Sequence, residues 1–394
     1  MNRSRSLFLS LSLAVLLPLA SGVLWSAVGS TARDEGSDSL YKYLSIFSEV
    51  FGLVRSSYVE PADADALLAG ALDGVTDALD PFSSLVPAGE LGEYERTQRL
   101  AFAHSGLTIA KDHGIAFVVA VEDGSPGAAA GLERGDLISE IGGLETRTLP
   151  AWRVERKLAE PPGTEVEVRL LRDGEPSVAR VALAEYTPPE PQLDEVRGIA
   201  RLRISRLAPG TADRVRPLLE ELARRGARQL LVDLRDLAGG EGAEAYAVGA
   251  LFAAGELGRL DERGETARQF SSDAPQVWRG DVAVLVDGGT LGAAEILAAI
   301  LRDAAGARLV GAPTFGWAGE RSYRDLSGGA RLHLTTRFFA GPDGRPIAQP
   351  LAPEVVVDEF SRRFGETDRP LEELILERAI ELLTGAPDAA RRAA

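Results

Sequence analysis

Two short apolar runs constrain this chain more than anything else in it. Gln229-Leu230-Leu231-Val232-Asp233-Leu234 and Val282-Ala283-Val284-Leu285-Val286 carry apolar residues at consecutive positions rather than alternate ones. A strand with water on one face alternates, whereas a strand apolar throughout has to be covered on both faces. Each run ends in a glycine-containing turn and leads into a helical pattern. The second helix, Ala293 to Asp303, follows directly on Asp287-Gly288-Gly289-Thr290-Leu291-Gly292. Residues 195–384 therefore read as mixed α/β, closing with a helix from Leu371 to Leu383 between Pro370 and Gly385.

Other textures precede it. Residues 38–100 read as helical: Leu44, Phe47, Val50, Phe51 and Val54 follow a 3.6-residue spacing, as do Leu67, Leu68, Ala71, Leu72, Val75 and Leu79. Asp80-Pro81-Phe82-Ser83-Ser84 breaks that pattern. Residues 101–186 change to short strands, at Gly114–Val121, Asp136–Ile141, Thr164–Leu170 and Ser177–Leu183, with a helix from Ala151 to Leu158 between them. That set suits a small, partly open β-barrel. The proline-rich Thr187-Pro188-Pro189-Glu190-Pro191 reads as a stiff linker into a core spanning 187–385, and a tail at 386–394 is expected to be disordered.

At the other end, Leu7 to Val28 is uncharged and follows Arg3 and Arg5. A basic start before an apolar run is the export pattern, and this run is long enough to span a bilayer. Residues 1–32 are thus expected to be a signal peptide or a membrane anchor. The rest would then be periplasmic, either free or anchored to the inner membrane.

Composition narrows the chemistry. A net charge of −16 with no basic stripe argues against nucleic acid as a partner. There are no cysteines, which excludes disulfides, thiolate metal sites and cysteine nucleophiles. No metal or cofactor is expected. The chain has three histidines, His104, His113 and His333, and three lysines, Lys42, Lys111 and Lys157. No lysine follows residue 157.

The order of segments resembles the C-terminal processing peptidases, serine proteases with an embedded PDZ domain. Asp80-Pro81-Phe82-Ser83-Ser84 is similar to the family's Asp-Pro-His-Ser, with Phe82 at the histidine. Gly127 to Ile138 resembles the PDZ signature, and Val232 to Gly240 the family's Asp-Leu-Arg-Asn-Asn-Pro-Gly-Gly. Thr335 to Ile347 and Pro353-Glu354-Val355-Val356-Val357 match two further stretches. The resemblance implies an α+β multidomain fold: an N-terminal helical segment, a PDZ-like domain and a crotonase-like α/β protease core.

The family's serine lies in Ser-Ala-Ser-Glu-Ile and its lysine base 25 residues later. Here the matching text is Gly292-Ala293-Ala294-Glu295-Ile296 and Thr314-Phe315-Gly316-Trp317. Gly292 stands at the serine, Trp317 at the lysine and Arg321 about where the family has a supporting glutamine. Glycine has nothing to attack with, indole has no basic nitrogen, and arginine stays protonated with a pKa above about 12. The Ser-Lys dyad is absent. A relocated site would need His333 beside a serine.

What the resemblance leaves is a scaffold. It implies an oxyanion hole of backbone amides at Gly239, Gly240 and Ala293. It also implies a carboxylate-binding loop, Ser105-Gly106-Leu107-Thr108-Ile109, beside which a peptide adds as a strand. Trp152, Val154 and Leu158 either line that groove or belong to the core. Trp317 either fills the lysine's space or makes a new contact, and His104 is either a pH-sensitive contact or an exposed bystander. The reading is an exported binder of unstructured protein C-termini acting as scaffold, adaptor or regulator. An active paralogous protease or a second copy is a further partner, met through the helices around Phe47, Phe51 and Tyr58. The alternative is an active endopeptidase with relocated residues.

Overall fold

The computed structural model describes residues 35–385 apart from 264, 359, 360, 364, 365, 367 and 368; the side chains of residues 35–39 are also left undescribed. The expectations for residues 7–28 and 386–394 lie outside that range. The described residues fall into two units that divide between Gly70 and Ala71. In the first, helix α1 (Glu35–Ser57) exposes Leu40, Tyr43, Leu44 and Val50. Helix α2 (Ala64–Asp77) runs across the boundary. No helix of the described residues is long and apolar enough to cross a membrane.

Residues 38–100 are not wholly helical as the sequence pattern suggests. Strand β1 (Ser84–Val86) follows the Asp80 turn, where the Asp80 carboxylate accepts from the Phe82 and Ser83 N–H groups and the Ser83 hydroxyl. Three residues carry no periodicity of their own; β1 is a strand because the core pairs with it. Helix α3 (Leu91–Ser105) then runs past residue 100, ending at Gly106 in the left-handed conformation.

The PDZ-like sheet comprises β2 (Leu107–Asp112), β3 (Ile115–Val121), β4 (Leu137–Ile141), β5 (Leu144–Glu145), β6 (Glu165–Arg172) and β7 (Glu175–Ala182). Its order is β2-β3-β4-β6-β7, with β5 on β4, so β2 is an edge strand. A short helix (Ala151–Glu155) and a 3-10 turn (Arg156–Ala159) replace the single helix expected there.

The core contains β8 (Gln192–Val196), β9 (Ile199–Arg203), β10 (Gln229–Asp233), β13 (Asp281–Val286), β14 (Arg308–Gly311) and β17 (Val355–Val356) in the order β17-β14-β13-β10-β9-β8. Every pairing is parallel except β8 with β9. The apolar runs are covered on both faces. Leu230, Val232, Val282, Val284 and Val286 enter one cluster, and Leu231, Ala283 and Leu285 enter another against the helix Leu371–Thr384. A second sheet joins β1 to β11 (Gly255–Glu262), β12 (Glu265–Ser272), β15 (Gly319–Asp325) and β16 (Arg331–Ala340). The result is an α+β multidomain protein whose PDZ-like and α/β parts meet at a cleft.

Candidate functional site

The cleft measures about 350 Å³ and draws its walls from both parts. Thr108 and Ile109 of edge strand β2 line it, as do Trp152 and Glu155, Arg206 after β9, Gly239 and Gly240 after β10, and Gly292, Ala293, Trp317 and Arg321. Neither a lysine nor a histidine is among its lining residues.

One buried carboxylate fixes its floor. Glu295 lies in the first turn of helix α8 (Ala293–Asp303; α4 to α7 are Pro126–Ala129, Ala151–Glu155, Thr211–Arg224 and Gly242–Gly249) and is wholly buried. Its Oε1 accepts from the Thr314 hydroxyl at 2.5 Å and the Gly316 N–H at 2.6 Å; its Oε2 accepts from the Trp317 N–H at 2.9 Å and the Gly292 N–H at 3.0 Å. Burial raises its pKa while those four donors pull the other way. Glu295 thus ties the 292 turn to the 314–317 loop. It stands in the quoted motif, but nothing in sequence says that one carboxylate serves both segments.

Gly292 takes φ +66° and ψ −113°, a conformation side-chain-bearing residues rarely adopt. A Cβ there would meet only the Trp317 carbonyl oxygen, at 3.9 Å. The place of a side chain at 292 is therefore open, and the Trp317 indole does not fill it. That ring packs instead at a tilt against Phe82, with centroids 4.2 Å apart, and Phe315 packs on Phe82 from 5.9 Å. Arg321 donates to the Phe82 carbonyl at 3.2 Å and to Gln98 Oε1 at 3.4 Å, and Gln98 donates to Glu155 at 3.1 Å. Burial pushes the Glu155 carboxyl up to about 7, although Arg321 and Gln98 oppose it. Among the described residues, the N–H groups of Gly239, Gly240 and Ala293 meet no acceptor.

The PDZ-like side departs from expectation in its binding loop and at His104. In the loop Ser105–Ile109, the Gly106 N–H already donates to the Phe102 carbonyl at 2.8 Å and the Leu107 N–H to Ser105 Oγ at 3.2 Å. Neither is free for a carboxylate. A Cβ on Gly106 would also collide with Ser125, so the loop closes on its own domain. Leu158 is 1% exposed within the PDZ core and does not line the groove. Val154 is likewise core, whereas Trp152 packs on Val86 and Tyr94 and still lines the cleft. His104 is buried, its Nδ1 2.8 Å from the Glu160 carbonyl, so it is neither exposed nor a ligand contact.

Comparison with known proteins bears on these features together. Residues 198–357 match peptidase family S41 and residues 117–172 match a PDZ domain. The chain is 28% identical over 357 residues to a carboxyl-terminal-processing protease of Synechocystis, covering 84% of this chain and 81% of the relative. It is 23% identical over 327 residues to the carboxy-terminal processing protease CtpA of Bacillus subtilis, covering 82% and 69%. The chain is a relative of the carboxy-terminal processing proteases, with an S41 peptidase core and a PDZ domain. Its fold is similar to that of the photosystem II D1 C-terminal processing protease, at a TM-score of 0.65 and 22% identity, covering 87% of this chain and 97% of that one.

In this S41 relative, His333 stands in register with Ser84 across the β1–β16 pair, with no hydrogen bond between the two side chains among the described residues. Its Nε2 is buried without a hydrogen-bond partner, and its ring lies 4.5 Å from that of Tyr94. Burial, with Arg321 and Arg331 nearby, lowers its pKa. Thr290 is committed as well: its hydroxyl donates to the Leu234 carbonyl at 2.9 Å and accepts the Asp287 N–H at 3.0 Å.

Two groups the sequence did not single out join the PDZ-like and core parts, and Arg206 among them lines the cleft. Arg206 lies over the Phe102 ring, 4.6 Å from its centroid, and its Nη1 occupies the place a Cβ on Gly239 would take. Arg134 of the PDZ domain bridges to Asp236 and Asp287 of the core, and burial beside Asp287 pushes Asp236 up to about 7. Among forty arginines, no sequence signal marks these two.

Proposed function

We propose that this chain is an exported, non-catalytic member of its group that binds protein C-terminal tails as a scaffold, adaptor or regulator of an active protease. One observation carries the reading: the edge of β2 opens onto the dyad position, and Gly292 and Trp317 leave that position with neither nucleophile nor base. An edge strand beside a cleft with free N–H groups suits an extended peptide adding to the sheet. Removing a serine protease's nucleophile and base typically lowers turnover about a million-fold. The exposed apolar residues of α1 support a further partner, whether an active paralogue or a second copy. Export rests on the uncharged run Leu7–Val28 after Arg3 and Arg5, and points to the periplasm, free or at the inner membrane.

The test is incubation of the purified chain with unstructured proteins bearing apolar C-termini, read by mass spectrometry. The Gly292→Ser/Trp317→Lys double variant runs alongside. The expected result is no product from the native chain together with retained binding of the substrates. Products that vanish on His333→Ala would overturn the reading and install a relocated protease site.

A further inference from the structure

Tail binding requires a receptor for the terminal carboxylate, and the loop expected to provide it has two of its amide donors engaged elsewhere. The core side of the cleft has the complementary feature. Among the described residues, the Arg206 guanidinium has no hydrogen bond and no ion pair, and it is held in place by the Phe102 ring and the bare backbone of Gly239. A guanidinium presents five N–H donors in a fork that fits a carboxylate, and stacking on an aromatic face fixes the fork without using those donors.

Its surroundings leave that charge available. The acid whose field reaches Arg206 is Glu122, and burial pushes Glu122 up to about 8, so it is largely uncharged at neutral pH. Arg321, the other cleft arginine, is engaged with Phe82 and Gln98. Trp152, 2% exposed, lines the same cleft with its indole N–H unpartnered. A cleft with two arginines and one carboxyl of raised pKa is cationic inside a chain of net charge −16.

We propose that Arg206 is the carboxylate receptor of this chain: a protein C-terminus lying along the free edge of β2 ends in the emptied dyad cleft. There its carboxylate meets the Arg206 guanidinium, flanked by the free N–H groups of Gly239, Gly240 and Ala293. The proposal rests on the tail-binding reading and adds where the tail ends and what holds it. The open space above Gly292, which a serine side chain would occupy, gives the carboxylate room.

Fluorescence anisotropy on the full chain tests it, with a labelled ten-residue unstructured peptide ending in three alanines, made as the free acid and as the C-terminal amide. A hydrogen-bonded charge pair of this kind gives an expected preference for the acid of about 10- to 100-fold. Arg206→Gln is expected to abolish the preference, and Arg206→Lys to retain part of it. Equal binding of acid and amide by the native chain, a result that needs no variant to fold, overturns the carboxylate receptor and leaves tail binding standing. An acid preference that survives Arg206→Gln overturns the assignment to Arg206. Binding of neither peptide overturns the tail-binding reading itself.

Discussion

A single methyl group at position 292 separates backbone geometry from chemistry. Gly292→Ala adds a Cβ that would touch only the Trp317 carbonyl oxygen at 3.9 Å, an ordinary contact, so crowding costs nothing. What remains is the conformation. At φ +66° and ψ −113° a residue with a side chain is strained by about 1–3 kcal/mol. The reduced freedom of the unfolded chain returns about 0.4–1 kcal/mol. The expected net loss is about 1–2 kcal/mol. Gly292→Ser should match it within about 0.5 kcal/mol, because the hydroxyl enters open space. Gly92→Ala provides the internal contrast. It lies in α3 with nothing within 4 Å of a Cβ and without a positive φ, so the same substitution should stabilise by about 0.5–1 kcal/mol. Urea unfolding of the full chain followed by tryptophan fluorescence, with the slope unchanged across variants, reads these shifts. If Gly292→Ala unfolds at the native midpoint, the turn is not held in the left-handed region. The idea that glycine relieves strain which a catalytic serine would have to bear would then be wrong.

Two further expectations follow from the buried carboxyls. Glu295→Gln leaves one acceptor oxygen for four donors, so two hydrogen bonds are lost. Even with the buried charge removed, the loss should be about 3 kcal/mol in urea; a change below about 1 kcal/mol would mean Glu295 does not tie the loops together. Glu122 is raised from 4.5 to about 8 by burial, among Arg206, Arg203, Asp123, Asp236 and Tyr186. The folded state therefore holds its proton more tightly than the unfolded chain. Its stabilising effect is complete below about pH 4.5 and lost as pH rises toward 8, and Asp236 and Glu155 act in the same direction. The melting temperature should fall between pH 5 and 8.5, and Glu122→Gln should flatten that profile; an unchanged slope in the variant would refute the assignment.

The sequence determined much about this protein by itself. Consecutive apolar residues in Leu230–Val232 and Val282–Val286 required cover on both faces, and the structure supplies it with separate clusters. The absence of side-chain chemistry at Gly292 and Trp317 was equally legible, because what a residue lacks does not depend on where it sits. Residues whose role depends on a partner distant in the chain were not legible. Ser84–Val86 is a strand only because Arg331–His333 pairs with it, and Leu158 is core only because the PDZ sheet closes over it. The Gly106 loop fitted its motif by position, yet its Gly106 and Leu107 donors are engaged by neighbours whose orientation the motif does not specify. Arg206 is one arginine of forty until the fold sets it on Phe102 and against Gly239, far along the chain in both directions. Local pattern encodes what a segment must bury and what chemistry it can carry; which donors stay free is settled only when distant segments are packed together and compete for the same acceptors.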